Sequence, residues 1–180
     1  MGERTANAQL HMDFGAEAAL DKRFLTSRGP GRGDASFGPA LRLTGHLALL
    51  PLIRVGLYAG YALSPQDAEL RHMLSGGTEA RIFPPFGIPN FRPFVLVGFG
   101  YQRTFAYGTS GGCLETPLGI GASYRVRKPF DVGAILGSRI GFACGGPLYT
   151  ATSITGATSS TAAGQDRFGL SFGVMASLEF

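Results

Sequence analysis

The sequence contains no tryptophan, only two cysteines and three histidines, and few charges, with Asp, Glu, Lys and Arg making up 16% of its 180 residues. Each shortage removes a class of protein. No segment approaches the roughly 18 consecutive apolar residues of a membrane helix. The longest apolar stretch, Leu47 to Ile53, is interrupted by Pro51 and followed by Arg54, so a helical membrane protein is excluded. His11, His46 and His72 are not grouped with cysteines at metal-ligand spacing, and no Gly-x-Ser-x-Gly elbow occurs. No metal, no cofactor and no enzymatic activity are expected. The net charge is +4, yet the basic residues are scattered apart from Arg125, Arg127 and Lys128, and Arg28 with Arg32. Without a basic helical face or a base-stacking motif, no nucleic-acid partner is expected.

What is abundant is glycine, with 28 residues, and phenylalanine, with 14. That balance points to strands and turns. From Arg167 to Phe180 the residues alternate: Phe168, Leu170, Phe172, Val174, Ala176, Leu178 and Phe180 against Arg167, Gly169, Ser171, Gly173, Ser177 and Glu179, with Met175 the one exception. A period of two puts these sets on opposite faces of one strand. Leu10 to Leu20 repeats the pattern, with His11, Asp13 and Glu17 on one face, where a helix would spread them around its circumference. Similar segments run over Phe37–Leu49, Ile53–Leu63, Ser75–Phe83, Val95–Phe105, Leu114–Val126 and Phe130–Phe142. The expected total is eight strands.

An even number of strands in an antiparallel meander brings both termini to one end. Connections at that end, around Pro51, 84–91 and 127–129, are short or moderate; those at 22–36, 64–74, 106–112 and 144–165 are mostly longer and polar. Such a sheet could close as a soluble, lipocalin-like ligand-binding barrel with its apolar face inward, or as a membrane barrel with that face outward. The polar face decides between them. It is dominated by Gly and Ala with isolated charges, which covers a soluble protein poorly but suits the cramped interior of an eight-stranded barrel. The other face carries Phe, Leu, Ile, Tyr and Val, and most segments meet the roughly 9–11 residues of a tilted transmembrane strand. Aromatics near segment ends (Tyr61, Phe91, Phe94, Tyr101, Phe105, Tyr124, Phe130, Phe142, Phe168 and Phe180) read as interface girdles. Tyr58 points inward by parity, and Arg103 falls on the apolar face near a strand end.

The pattern as a whole, with the terminal Ser177-Leu178-Glu179-Phe180, resembles the small eight-stranded outer-membrane barrels of Gram-negative bacteria, the OmpA/OmpX/OmpW-like group. The expected fold is therefore all-β, an eight-stranded antiparallel up-and-down transmembrane β-barrel over residues 9–180, preceded by a polar tail, 1–8. Ala6-Asn7-Ala8 reads either as the end of a secretory cleavage site or as a chance triplet. The resemblance implies the bacterial outer membrane as location, with outer-membrane lipid around the wall, periplasmic termini and extracellular long loops. It also implies that Phe180 is the assembly signal met by the barrel-assembly machinery.

By parity the lumen receives a charge network of Asp13, Glu17, Arg42, His46, Arg54, Glu79, Arg81, Glu115, Arg125, Arg139, Arg167 and Glu179, with His11 and Asp21 on the same face. Strand one closes the barrel beside basic strands, and pairing of Asp13 and Glu17 with Arg42 and His46 depends on register. A charge sealed from water needs a partner. A salt-bridged plug is favoured over a polar conduit because eight strands leave an interior about filled by side chains. His72 is expected in a loop. Cys113 and Cys144 lie equally far from the 127–129 turn, offset by one residue, so a disulfide would need a bulge, for which Gly145-Gly146 is the candidate; two free thiols are the alternative. Arg32-Gly33-Asp34 is read as a solvated turn, and the Thr/Ser-rich stretch 150–161 as a mobile loop. The function expected is a structural or interaction role, through loops or the lipid-facing wall, with a membrane or surface protein as partner. The alternative is a narrow channel for small polar or hydrophobic solutes.

Overall fold

The alternation does in space what period two requires: one backbone ladder separates a bulky face from a small and polar one. The computed structural model describes residues 11–25, 36–66, 69–85, 88–106, 109–145, 151–152, 158–159 and 166–180. Ten strands occur among them: β1 (Met12–Leu25), β2 (Ser36–Leu50), β3 (Ile53–Gln66), β4 (Glu69–Ile82), β5 (Phe91–Ala106), β6 (Thr109–Arg127), β7 (Phe130–Gly145), the two-residue β8 (Ala151–Thr152) and β9 (Thr158–Ser159), and β10 (Asp166–Glu179). Eight of them close a barrel in the order β1-β10-β7-β6-β5-β4-β3-β2, while β8 and β9 pair only with each other. Every pairing is antiparallel. Closure leaves no sheet edge unpaired, the condition for a backbone to sit in lipid. The expected eight-stranded up-and-down barrel is the observed fold. The boundary drawn at Ala8/Gln9, the Ala6–Ala8 triplet, Arg32–Asp34 and most of the 150–161 stretch lie outside the described residues.

Bulk is on the outside. Leu43, Leu57, Phe99, Ile120, Leu136 and Phe172, on β2, β3, β5, β6, β7 and β10, are each more than half exposed, whereas Asp13, His46, Glu79, Arg81 and Glu115 are buried. This inverts the arrangement of a water-soluble domain.

Four expectations need correction. The stretches 64–74 and 106–112 are not long connections, because β3 runs to Gln66, β4 starts at Glu69, β5 runs to Ala106 and β6 starts at Thr109. The ladder needs only backbone groups, so it continues where side chains turn polar and the alternation fades. His72 is accordingly a strand residue on β4, not a loop residue. Phe94 does not join the outer girdle. It is 2% exposed and packs inside with Leu96, Ile135 and Met175, because its parity is that of the lumenal residues of β5. His11, placed inward by parity, precedes β1 and is exposed at the turn-side rim.

Candidate functional site: the barrel lumen

The register of each strand pair decides which lumenal side chains meet. Across β1 and β2, Asp13 is level with His46 and Glu17 with Arg42. The row through His46 continues to Gly56 on β3 and Glu79 on β4. A Cβ at Gly56 would sit 1.9 Å from the carbonyl oxygen of Gly45 and 2.7 Å from Cα of His46. With no side chain there, His46 reaches over β3. Its Nδ1 is 2.8 Å from Asp13 Oδ1 and its Nε2 is 2.8 Å from Glu79 Oε1. Both ring nitrogens face carboxylate oxygens, a geometry that suits a ring with a donor on each side.

From this bridge the network extends both ways. Arg42 donates through Nη2 to Glu79 Oε2. Arg81 Nη2 lies 3.4 Å from Glu79 Oε1 and 3.3 Å from Thr44 Oγ1. Arg54 donates to Asp13 Oδ2 at 2.6 Å and lies 3.1 Å from Glu179 Oε1. Around Glu179, at the turn-side mouth, Arg92 donates at 2.7 Å and Arg125 also donates. Arg125 Nε then binds Asp131 Oδ1 at 2.8 Å. A continuous chain of paired ionisable groups thus runs from Arg42 to Asp131. Each link is charge-assisted, and removal of one partner would strand the other away from water.

A second row crosses the lumen itself. Tyr58 on β3 is level with Gly77 on β4, Gly77 with Gly100 on β5, and Gly100 with Glu115 on β6. Over these two glycines the Tyr58 side chain lies flat and donates from its hydroxyl to Glu115 Oε1 at 2.6 Å. A Cβ at Gly100 would fall 2.2 Å from the Tyr58 hydroxyl oxygen. The Arg42 guanidinium stacks on the other side of the ring, 4.2 Å from its centroid. Arg42, Tyr58 and Glu115 therefore form a bar from one wall to another.

Toward the loop side, Arg23 pairs with Asp21 and lies 3.4 Å from Gln102 Oε1, with Met73 packed on Ala40 and Ala62 nearby. Toward the turn side, Phe94, Leu96, Ile135 and Met175 fill one half of the interior, with Phe83 against them. Arg81 stands 5.3 Å over Phe94, and Arg54 5.0 Å over Phe83, so the apolar half meets the charged half through guanidinium faces.

Of the expected lumenal residues, Asp13, Arg42, His46, Arg54, Glu79, Arg81, Arg125 and Glu179 join one network, and Glu115 joins the bar. Glu17 is buried among the charges of Arg42, Arg81 and Arg139, and Arg139 is buried on β7. Arg167 is on β10, but its side chain lies outside the described residues. Arg92 and Asp131 join the network, and Arg23 and Arg71 are buried in the lumen, without being among the residues expected there, although parity marks each as inward. The buried apolar cluster is not among the expected inward residues either, because Phe94 is assigned to the girdle by residue type and Leu96 and Ile135 are given no face. Cys113 and Cys144 are joined across β6 and β7 with Cα atoms 4.0 Å apart. The bulge that aligns them is not at Gly145-Gly146. Gly145 pairs regularly with Gly112, and the extra residue is Ala143, at φ 47°. Among the described residues no group of three or more His, Cys, Asp or Glu is placed to hold a metal ion.

No protein-family model matches the chain, and no curated protein is similar to it in sequence. Solved structures do resemble it. Neisserial surface protein A matches with a TM-score of 0.68 at 13% identity, covering 94% of this chain and 97% of its own. A major outer membrane protein of Thermus thermophilus matches at 0.58 and 16% identity, over 94% and 99% of the two chains. Ail, the attachment invasion locus protein of Yersinia pestis, matches at 0.52 and 10% identity, over 96% and 99%. At such identities the likeness speaks for architecture alone. In fold, this chain is a small eight-stranded barrel of the outer-membrane type.

Proposed function

We propose that this protein is an integral barrel of the bacterial outer membrane whose lumen is a closed polar core, and that it works without enzymatic chemistry, through its loops or its lipid-facing wall. The observation that carries this reading is the bar of Arg42, Tyr58 and Glu115, which spans the interior where a conduit would have to pass. The His46 bridge between Asp13 and Glu79 supports it, because it ties three strands through side chains where a pore would keep water. An inside filled this way leaves only the outer wall and the loop-side rim for partners, whether lipid or a membrane or surface protein. The termini belong in the periplasm, and Phe180 is the group offered to the barrel-assembly machinery.

Planar-bilayer recording from purified monomer tests the closed core. The expected record is a flat baseline with no unitary steps. Stable conductance steps that change with Tyr58→Ala would establish a narrow channel for small solutes and overturn this reading.

A further inference from the structure

Charge is segregated across the barrel wall. Every carboxylate whose side chain is described, from Asp13 on β1 to Glu179 on β10, lies in the lumen or at its turn-side mouth. The outer face carries cations instead: Lys22, His72 and Arg103 toward the loop side, Arg127 and Lys128 at the turn side. Lys22, His72 and Arg103 each stand three residues from the loop-side end of their strands, at Leu25, Glu69 and Ala106. An outward arginine costs about 2–4 kcal/mol at the bilayer midplane and about 0–1 kcal/mol near an interface. Arg103 therefore belongs at the membrane surface, and no described residue of the outer face offers it a negative charge.

Hydrogen-bonding groups from three other strands stand near it. Arg103 Nη2 donates to Ser110 Oγ on β6 at 3.0 Å, and the guanidinium lies 5.4 Å from the Phe105 ring centroid. On β4, Leu74 is opposite Arg103 and His72 is opposite Phe105. His72 and Arg103 are thus diagonal neighbours, about 7–8 Å apart at the backbone. The Tyr61 hydroxyl on β3 occupies His72 Nδ1 at 2.6 Å, so a ligand of this imidazole would meet Nε2. Two hydrogen-bonded pairs, Tyr61 with His72 and Arg103 with Ser110, thus stand side by side on the outer wall across β3 to β6. Below them the wall is apolar, with Leu74, Tyr101 and Phe99 each about half exposed.

We propose that His72, Arg103 and Ser110 bind the phosphate of a membrane-lipid head group, with the Tyr61 hydroxyl holding the imidazole through Nδ1 and the acyl chains of that lipid lying on the apolar wall turn-ward of Leu74 and Tyr101. The chemistry is that of a monoanionic or dianionic phosphate: a bidentate-capable guanidinium supplies charge, and hydroxyl and imidazole donors supply direction. A free phosphate would satisfy the same donors but leave the apolar wall beneath them unused. This inference rests on the lipid-facing reading of the wall.

The test uses the full chain in uncharged maltoside micelles, titrated with phosphatidic acid, with diacylglycerol, which has the same chains without phosphate, and with inorganic phosphate. Native mass spectrometry counts bound lipid, and the Nε–H resonance of Arg103 in isotope-labelled protein reports the site. Phosphatidic acid should bind and shift Arg103, while diacylglycerol and inorganic phosphate do neither. Arg103→Gln should weaken binding by about tenfold or more, and Ser110→Ala by a smaller factor. Arg127→Gln, at the other rim, should leave it unchanged. Arg103→Lys, which keeps the charge and removes the fork, should bind phosphatidic acid weakly while keeping the heat-shifted gel mobility of the folded barrel. Equal weakening by Arg103→Gln and Arg127→Gln would mean diffuse attraction and overturn the site. Equal binding of diacylglycerol, or of inorganic phosphate, would overturn it as well. A chain that stays monomeric without detergent would instead overturn the membrane reading, and would do so before any lipid is added.

Discussion

Glu79→Gln removes the charge that Arg42, His46 and Arg81 share. The carboxylate is fully buried; it accepts from Arg42, faces His46 Nε2 at 2.8 Å and lies 3.4 Å from Arg81. Gln keeps the shape and one acceptor oxygen but leaves the Arg42 and Arg81 guanidiniums around a neutral group. Breaking a buried ion pair from one side costs about 3–5 kcal/mol, because the remaining charge stays away from water without compensation. The matched control is Glu179→Gln at the turn-side mouth, where the side chain is 16% exposed and water can take over part of its role. There the loss should stay nearer the roughly 1 kcal/mol of exposed pairs. Equilibrium unfolding of the refolded barrel in urea, followed by circular dichroism and gel mobility, measures both. Raising salt from about 0.15 to 1 M shortens the Debye length from about 8 to 3 Å, which should shrink the Glu179→Gln effect and leave that of Glu79→Gln nearly intact. If Glu79→Gln costs less than about 1 kcal/mol and fades with salt as its control does, the lumen is wet and the closed-core argument fails.

The bar across the lumen gives a second expectation. Gly100→Ala places a methyl group 2.2 Å from the Tyr58 hydroxyl and 2.5 Å from the Gly76 carbonyl oxygen, and should destabilise by about 1–3 kcal/mol in the same unfolding assay. Combined with Tyr58→Ala it should recover only part of that loss, since the backbone clash persists; full additivity of the two changes would refute the contact. For Cys113 and Cys144, alkylation should add mass only after reduction. Replacing both with Ala should lower stability by about 3–4 kcal/mol, given the sequence separation of 31 residues that the bond closes. Alkylation of unreduced folded protein would refute the bond.

The barrel was legible in the sequence because alternation is a local property. Leu41, Leu43 and Leu47 against Arg42, Thr44 and His46 need no knowledge of any other strand to be sorted into faces. The network was legible only as a set of inward residues, because its wiring depends on register. Nothing local in β3 states that Gly56 lies between His46 and Glu79, or that Gly77 and Gly100 lie under Tyr58. Each of those relations is fixed by backbone pairing across two or three strands. Strand ends were misread at 64–74 and 106–112 for a related reason, since the cue for a strand was apolar alternation and the ladder outlasts it. Phe94 was misplaced when its residue type was allowed to outweigh its parity.

The glycines of the lumenal face then acquire a meaning that composition alone could not supply. An interior about filled by side chains cannot hold a long residue at every inward position of eight strands. Where His46 and Tyr58 reach across the wall, the positions level with their paths are Gly56, Gly77 and Gly100; at Gly100 a Cβ would fall 2.2 Å from the Tyr58 hydroxyl, and at Gly56 and Gly77 it would meet the backbone of the neighbouring strand. The same packing explains the direction of charge. A carboxylate on the outer wall would face lipid, whereas inside it meets an arginine or histidine already held in place by that packing. With the described acids confined to the interior, the charged side chains described on the outer wall are cations, and the proposed lipid phosphate would supply a counter-ion. On this reading, the arrangement that gathers the described acids inside also leaves Lys22, His72 and Arg103 facing outward, where an anionic lipid head group would meet them.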